Sequence, residues 1–349
     1  MTEQTAKQRS LYPWLVKPYI GLASDFSQAR LHHALLISSG TALGKSQLVA
    51  RLTELIHCQT PNENKACGQC QDCQLHQAGT HADFYHVQSL ENKTQISIEQ
   101  VRSVSKKLTD TGLVNQRRIV FIHDADSMTE AASNALLKIL EEPPKHVYFV
   151  LTTSAIAKIP ATILSRCLKI TLQQPPSDKL IAWLTRKSDK AITPAQFALL
   201  GNSPLAALEA LENNSVDHIE SLIAQCNQMY HAWGSKNEDL ASVSVIELSE
   251  LLASLTSHKT TPMSLVQLVA MLKQINLWIA KGQMLGRAPI DALSSNLYAS
   301  SLSIDTKALV NLDSELAQLH HLLMSNSGVN GALQLQNLLI KTTDQIING

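Results

Sequence analysis

Short apolar runs alternate with helical periodicity from about residue 33 to residue 172. Ala34–Ser38 predicts a buried strand, and Lys45–Ile56 a helix with Leu48, Leu52, Leu55 and Ile56 on one face. Phe84–Val87 predicts a second strand. A helix over Ile98–Leu108 follows, with Ser97 and Gln100 spaced as a capping box. Arg118–His123 is the clearest buried strand. Ser127 and Glu130 have the same capping spacing and predict a helix that ends at Pro143–Pro144, where the ring removes a donor and clashes with the preceding turn. Val147–Thr152 and Leu168–Leu172 complete the series. Strands alternating with helices predict an α/β domain whose parallel sheet is covered on both faces.

The pattern changes after Pro175–Pro176. Short helical segments run to about Asn214, interrupted by Gly201-Asn202-Ser203-Pro204. Longer helices fill the remainder, with breaks expected at Trp233–Asn237, His258–Pro262 and Ser325–Gly331. Leu316, Leu319 and Leu323 carry the helical spacing there. No strand is expected in this half, and no internal repeat or low-complexity tract is present.

Composition narrows the function classes. The 29 basic and 29 acidic side chains cancel, so no overall positive field draws the chain to nucleic acid. Aromatic residues make up only 4%, too few for a base-stacking platform. The polar stretch Met1–Ser10 has no signal-peptide core, and runs such as Ala34–Ile37 and Ile119–Ile122 are too short to span a bilayer. The expectation is a cytoplasmic protein without a membrane partner, in which clustered cysteines are metal ligands.

Four cysteines are so clustered, as Cys58-x8-Cys67-x2-Cys70-x2-Cys73. Zinc takes four thiolates tetrahedrally, and a two-residue spacer lets neighbours reach one ion from a tight turn. The polar residues between them do not suit packed core. Four thiolates leave no open coordination position, so the expected Zn2+ is structural. A reduced reactive cluster and two disulfides are the alternatives. His57, His76, His81 and His86 lie nearby as substitute ligands, while Cys167 and Cys226 stand alone as core residues.

Between the first strand and the first helix lies Ser39-Gly40-Thr41-Ala42-Leu43-Gly44-Lys45-Ser46. A phosphate loop needs this context, since backbone N–H groups and a helix N-terminus cradle phosphate, lysine reaches the outer phosphates and the hydroxyl meets magnesium. Gly40, Gly44, Lys45 and Ser46 are the nucleotide-binding candidates. The loop is degenerate, because Ser39 stands where the pattern wants glycine. After Ile119–Ile122 an ATPase needs an aspartate for magnesium and a glutamate for water, and here His123 and Asp124 hold those positions. Moving the roles to Asp124 and Asp126 would need another strand register or loop path. Hydrolysis by this chain is not expected, and ATP and magnesium binding by it is in doubt.

Asn134-Ala135-Leu136-Leu137-Lys138-Ile139-Leu140-Glu141-Glu142-Pro143-Pro144, followed by Ile163-Leu164-Ser165-Arg166-Cys167, resembles the AAA+ subunits of bacterial sliding-clamp loaders. The cysteine module and Gln74–His81 narrow the match. The likeness is strong over residues 11–176 and traceable beyond, through Gly201–Leu208 and Gly328-Val329-Asn330.

It implies an α/β P-loop NTPase (AAA+) domain over 1–176 carrying the zinc module at 58–73. A small helical lid over 177–214 and an all-α C-terminal collar over 215–349 would follow. It also implies that Arg166 is an arginine finger acting in trans, on ATP held by a neighbouring subunit. From the residues alone, Arg166 is equally a cation favoured by a helix C-terminus. The family's second sensor arginine is replaced by Leu205, and Thr152 and Thr153 lie where a phosphate-sensing residue is kept. The implied partners are ATPase motor subunits and a delta subunit in a five-subunit ring, and through that ring the sliding clamp and primed DNA. The chain would then act within a DNA-directed DNA polymerase holoenzyme and its clamp-loading ATPase. Two other readings stay open: a working motor ATPase of the same family, and an independent zinc-dependent nucleic-acid-binding protein.

Overall fold

The computed structural model describes residues 11–40, 42–90, 93–108, 117–257, 263–285, 303–325 and 330–348. They belong to two compact units, Met1–Pro175 and Pro176–Gly349.

In the first unit, α1 (Pro13–Ser27) precedes β1 (Ala34–Ser38), α2 (Lys45–His57), α3 (Gln71–Ala78) and β2 (Phe84–Val87). Then come α4 (Ile98–Lys107), β3 (Arg118–Ile122), α5 (Glu130–Glu141), β4 (Val147–Thr153), α6 (Ala161–Leu164) and β5 (Leu168–Thr171). The described strands form one parallel sheet in the order β2–β3–β4–β1–β5. Side chains alternate along a strand, so β1 sends Ala34 and Leu36 to one face and Leu35 and Ile37 to the other. The first face packs on Val101 of α4 and Leu136 and Leu140 of α5. The second packs on Leu15 and Leu22 of α1 and Leu48, Leu52 and Leu55 of α2. Each fully buried leucine among them contributes about 1.5–3 kcal/mol. Both faces are covered, as the sequence predicts.

Three local features differ from expectation. Helix α1 buries Leu15, Tyr19, Leu22 and Ala23 along one stripe, although Pro18 lies inside it. The cysteine segment contains α3, so polar that only Asp72 and Cys73 are buried. The cap of α5 is Thr129, whose hydroxyl accepts from the Ala132 N–H at 3.2 Å, and not Ser127. Asp124 turns the chain with φ 52°, the tight turn Ala125–Ser127 follows, and the helix is delayed by two residues. The expected box of Ser97 and Gln100 does cap α4.

The described part of the second unit contains only helices. They are α7 (Ser177–Ser188), α8 (Pro194–Leu199), α9 (Pro204–Glu212), α10 (Ser215–Ser235), α11 (Glu238–Ser257), α12 (Leu265–Leu285), α13 (Thr306–Ser325) and α14 (Gly331–Asn348). The expected breaks at 201–204 and 233–237 coincide with Gly201, Asn202 and Lys236 at positive φ. The break at 258–262 lies outside the described residues, as does most of the one at 325–331. Leu316 and Leu319 enter the core, and Leu323 packs against it. Helix α11 is long and apolar enough to cross a membrane by composition; Leu248, Leu252 and Leu255 pack one side of it into this core, while Leu240, Val243 and Ile246 are exposed.

Candidate functional site

The loop after β1 lies at the carboxyl end of the strands, where parallel α/β sheets bind their ligands. Gly44 caps α2 with φ 85°. A Cβ there would stand 2.8 Å from Tyr12 Cδ2, so glycine is required for conformation and for space. The N-terminal segment closes over this side of the loop: Trp14 Nε1 donates to the Leu43 carbonyl at 2.8 Å, and the Tyr12 N–H to Gln47 Oε1 at 3.1 Å. Gly40 stands in open space, and Thr41 lies outside the described residues.

Lys45 is buried, and its ammonium donates to Ser39 Oγ at 3.1 Å and Ser154 Oγ at 2.9 Å. Burial lowers its pKa from the usual lysine value, partly countered by Asp124 and Asp126. Ser39 thus replaces the pattern's glycine with a hydroxyl that engages the lysine. Asp126 is tied as well, accepting from Thr153 Oγ1 at 2.6 Å and the Ser154 N–H at 3.3 Å. Thr152 Oγ1 accepts from the Asp124 N–H at 3.2 Å. Thr152 and Thr153 therefore fasten the turn after β3. Near Ser46 Oγ, at 3.5 Å, stands His123 Nε2, which is 3.8 Å from Asp124 Oδ1. An imidazole occupies the side of the loop where magnesium would want oxygen.

The four cysteines converge. Their Sγ atoms all lie within 4.8 Å of one another, with Cys67–Cys73 at 3.9 Å and Cys58–Cys70 at 4.0 Å. A tetrahedral zinc with bonds of about 2.3 Å needs sulfurs about 3.8 Å apart. A disulfide needs about 2.05 Å, so the cluster is not a pair of bridges. The N–H of Cys67 points at Cys58 Sγ (3.2 Å), and those of Gln69 and Cys70 at Cys67 Sγ (3.4 and 3.3 Å). The Thr60 hydroxyl and these last two amides lower the pKa of Cys67 to about 5. Burial raises those of Cys58 and Cys73, which only a cation among the sulfurs would ionise. The donor set fits zinc, held by α2 at Cys58 and α3 at Cys73.

Arg166 follows α6, two residues before β5. Leu168 pairs with Leu35 at the start of β1, whereas the loop that carries Gly44 and Lys45 begins beyond Ser38. Four strand residues of about 3.3 Å rise separate these levels, roughly 13 Å. Arg166 and Lys45 are therefore at opposite ends of the sheet. The guanidinium donates from Nη2 to Glu141 Oε1 at 2.6 Å and from Nη1 to the Thr162 carbonyl at 2.9 Å and Ser165 Oγ at 3.3 Å. It is at once the helix-terminal cation and a partly exposed group facing outward.

The family described as DNA polymerase III, delta subunit, matches residues 17–176. Over 95% of this chain and 94% of the other, the sequence is 32% identical to DNA polymerase III subunit delta' of Escherichia coli (strain K12). The corresponding protein of Yersinia pestis is 30% identical over 97% of both chains. The chain belongs to the DNA polymerase III delta-prime family.

In this delta-prime chain the expected α/β P-loop half and helical half are both present. Gly44, Lys45 and Ser46 come together with His123, Asp126 and Thr153, and the four cysteines come together with one another. Leu205 is the second residue of α9, in the second unit.

Sequence reading did not find a buried imidazole group beside the cysteines. His57 and His81 stack with ring centroids 4.0 Å apart, and His76 stacks on both. His57 Nε2 meets the Arg117 carbonyl at 3.1 Å and so is protonated, which leaves Nδ1 to accept from His76 Nε2 at 2.6 Å. His81 Nδ1 accepts the Asp83 N–H at 3.2 Å, so its Nε2–H donates to Asp72 at 3.1 Å. Although these three could crowd around an ion, both nitrogens of His57 and His81 are used, and parallel stacked rings cannot share an in-plane ion. This is a neutral packing network. Burial and neighbouring imidazoles lower the pKa of His57 to about 2 and that of His76 to about 4. The sequence placed His57, His76 and His81 near the cysteines only as substitute ligands, not as a stacked group of their own.

Proposed function

We propose that this chain is a non-hydrolysing delta-prime subunit of the DNA polymerase III clamp loader and supplies Arg166 in trans to ATP on a neighbouring motor subunit. The observation that carries this reading is the position of Arg166 at the end of the sheet opposite the chain's own phosphate loop. A phosphate met by that guanidinium belongs to another chain. The planar, permanently charged fork suits γ-phosphate oxygens.

The loop supports the other half of the proposal. Lys45 is engaged by two serines, His123 stands beside Ser46, and Leu205 replaces the second sensor arginine. Residues 177–214 would form the lid and 215–349 the collar that joins a five-subunit ring with the motor and delta subunits. Exposed Leu240, Val243 and Ile246 on α11 and Ile340 on α14 provide apolar surface for such packing. That ring would open the sliding clamp and load it onto primed DNA. Zinc at Cys58, Cys67, Cys70 and Cys73 would fasten α2 to α3 without a catalytic part.

Arg166→Ala in a reconstituted ring should depress ATPase and clamp-loading activity by about 10³-fold or more at the site it serves, the scale of arginine fingers, while assembly persists. Unchanged turnover would refute the assignment.

A further inference from the structure

We infer that Glu141 is a positioning residue that parks the Arg166 guanidinium on this chain until a neighbour's phosphate displaces it. The inference rests on the proposed role of Arg166. Helix α5 ends at Glu141 because Pro143–Pro144 stops it, and this places the carboxylate beside the Ser165-Arg166 turn. Glu141 Oε1 takes Nη2 at 2.6 Å, while the Thr162 carbonyl and Ser165 Oγ take Nη1 at 2.9 and 3.3 Å. Both terminal nitrogens, the fork that would chelate two phosphate oxygens, are thereby engaged within the subunit.

The clasp is built to open. The side chains of Arg166 and Glu141 are 34% and 51% exposed, so water screens their attraction. A phosphate offers more negative charge and can take both terminal nitrogens of the fork, whereas Glu141 takes only Nη2. The finger therefore rests on Glu141 when the neighbouring site is empty and transfers when ATP arrives. Removing the carboxylate charge releases Nη2 of the fork and leaves the weaker Nη1 contacts to Thr162 and Ser165 in place.

The test uses assembled rings carrying the full chain, with ATP turnover measured without clamp or DNA. Glu141→Gln should raise kcat by about two- to five-fold, the range expected of an exposed pair, with KM for ATP unchanged. The gain should vanish when Arg166→Ala is added, and Glu142→Gln should behave as wild type. If Arg166→Ala depresses turnover but Glu141→Gln equals wild type or lowers the rate, parking is refuted and the finger reading stands. If Arg166→Ala itself has no effect, both fall. A gain that persists in the Arg166→Ala background would also overturn the parking role, since the carboxylate would be acting through something else.

Discussion

ATP with magnesium should leave the thermal stability of the isolated chain unchanged. The perturbation is 1 mM nucleotide, and the reason is the state of the loop. Lys45 already donates to Ser39 and Ser154, Asp126 already accepts from Thr153 and Ser154, and His123 stands beside Ser46. Phosphate binding would have to displace those hydroxyls and would gain no hard oxygen ligand from His123. If the loop nevertheless bound ATP with a Kd of about 10 µM, 1 mM ligand would stabilise the fold by about 2.7 kcal/mol. For a unit of this size that corresponds to an upward shift in Tm of roughly 5–11 °C. Scanning calorimetry with and without ATP and magnesium resolves a shift far smaller than this. The expected shift is within error. A rise of several degrees that disappears in Lys45→Met would refute the closed-loop reasoning and favour a working nucleotide site.

Two other outcomes follow from the cysteine and histidine groups. Metal analysis of purified protein should return one zinc per chain, and Cys73→Ser should lose it, with faster proteolysis between Cys58 and Cys73 but an unchanged far-UV spectrum; a metal-free native protein would remove the zinc centre from the account. Acid should destabilise the fold through His57: its pKa falls from the usual 6.5 in the open chain to about 2 when folded, so below pH 6.5 the unfolded chain takes a proton that the folded one refuses. Stability is then fullest above pH 6.5 and falls as pH drops toward 2, by at most about 1.4 kcal/mol per pH unit, and His57→Gln should flatten that slope in urea titrations. An equal slope in the variant would contradict the neutral network.

The parallel sheet was legible because its strands are short apolar runs separated by helical periodicity, and β1 is buried along its whole length. The convergence of the four cysteines was legible from spacing alone, since two-residue spacers constrain the chain locally. Helix α1 was hidden by Pro13 and Pro18, and α3 by its polar composition; both are held by packing partners elsewhere in the sequence. Ser127 matched the capping box and Thr129, with Ala132 three residues on, did not; the left-handed turn at Asp124 nevertheless delays the helix to Thr129. The histidine group joins positions 57, 76 and 81, and the Arg166 clasp joins positions 141 and 166. Only the fold brings those together, so no local pattern announced them. For Ser39 and His123, sequence showed that the expected residue was missing. The structure adds what each replacement does: one hydroxyl engages Lys45, and one imidazole stands at Ser46.

The central claim is that this chain acts on a neighbour's ATP and not on its own. The most direct measurement compares Lys45→Ala and Arg166→Ala in otherwise identical reconstituted rings, following clamp-stimulated ATP turnover. The account predicts turnover near wild type for Lys45→Ala and a loss for Arg166→Ala. The opposite pattern, loss with Lys45→Ala and retention with Arg166→Ala, would contradict it.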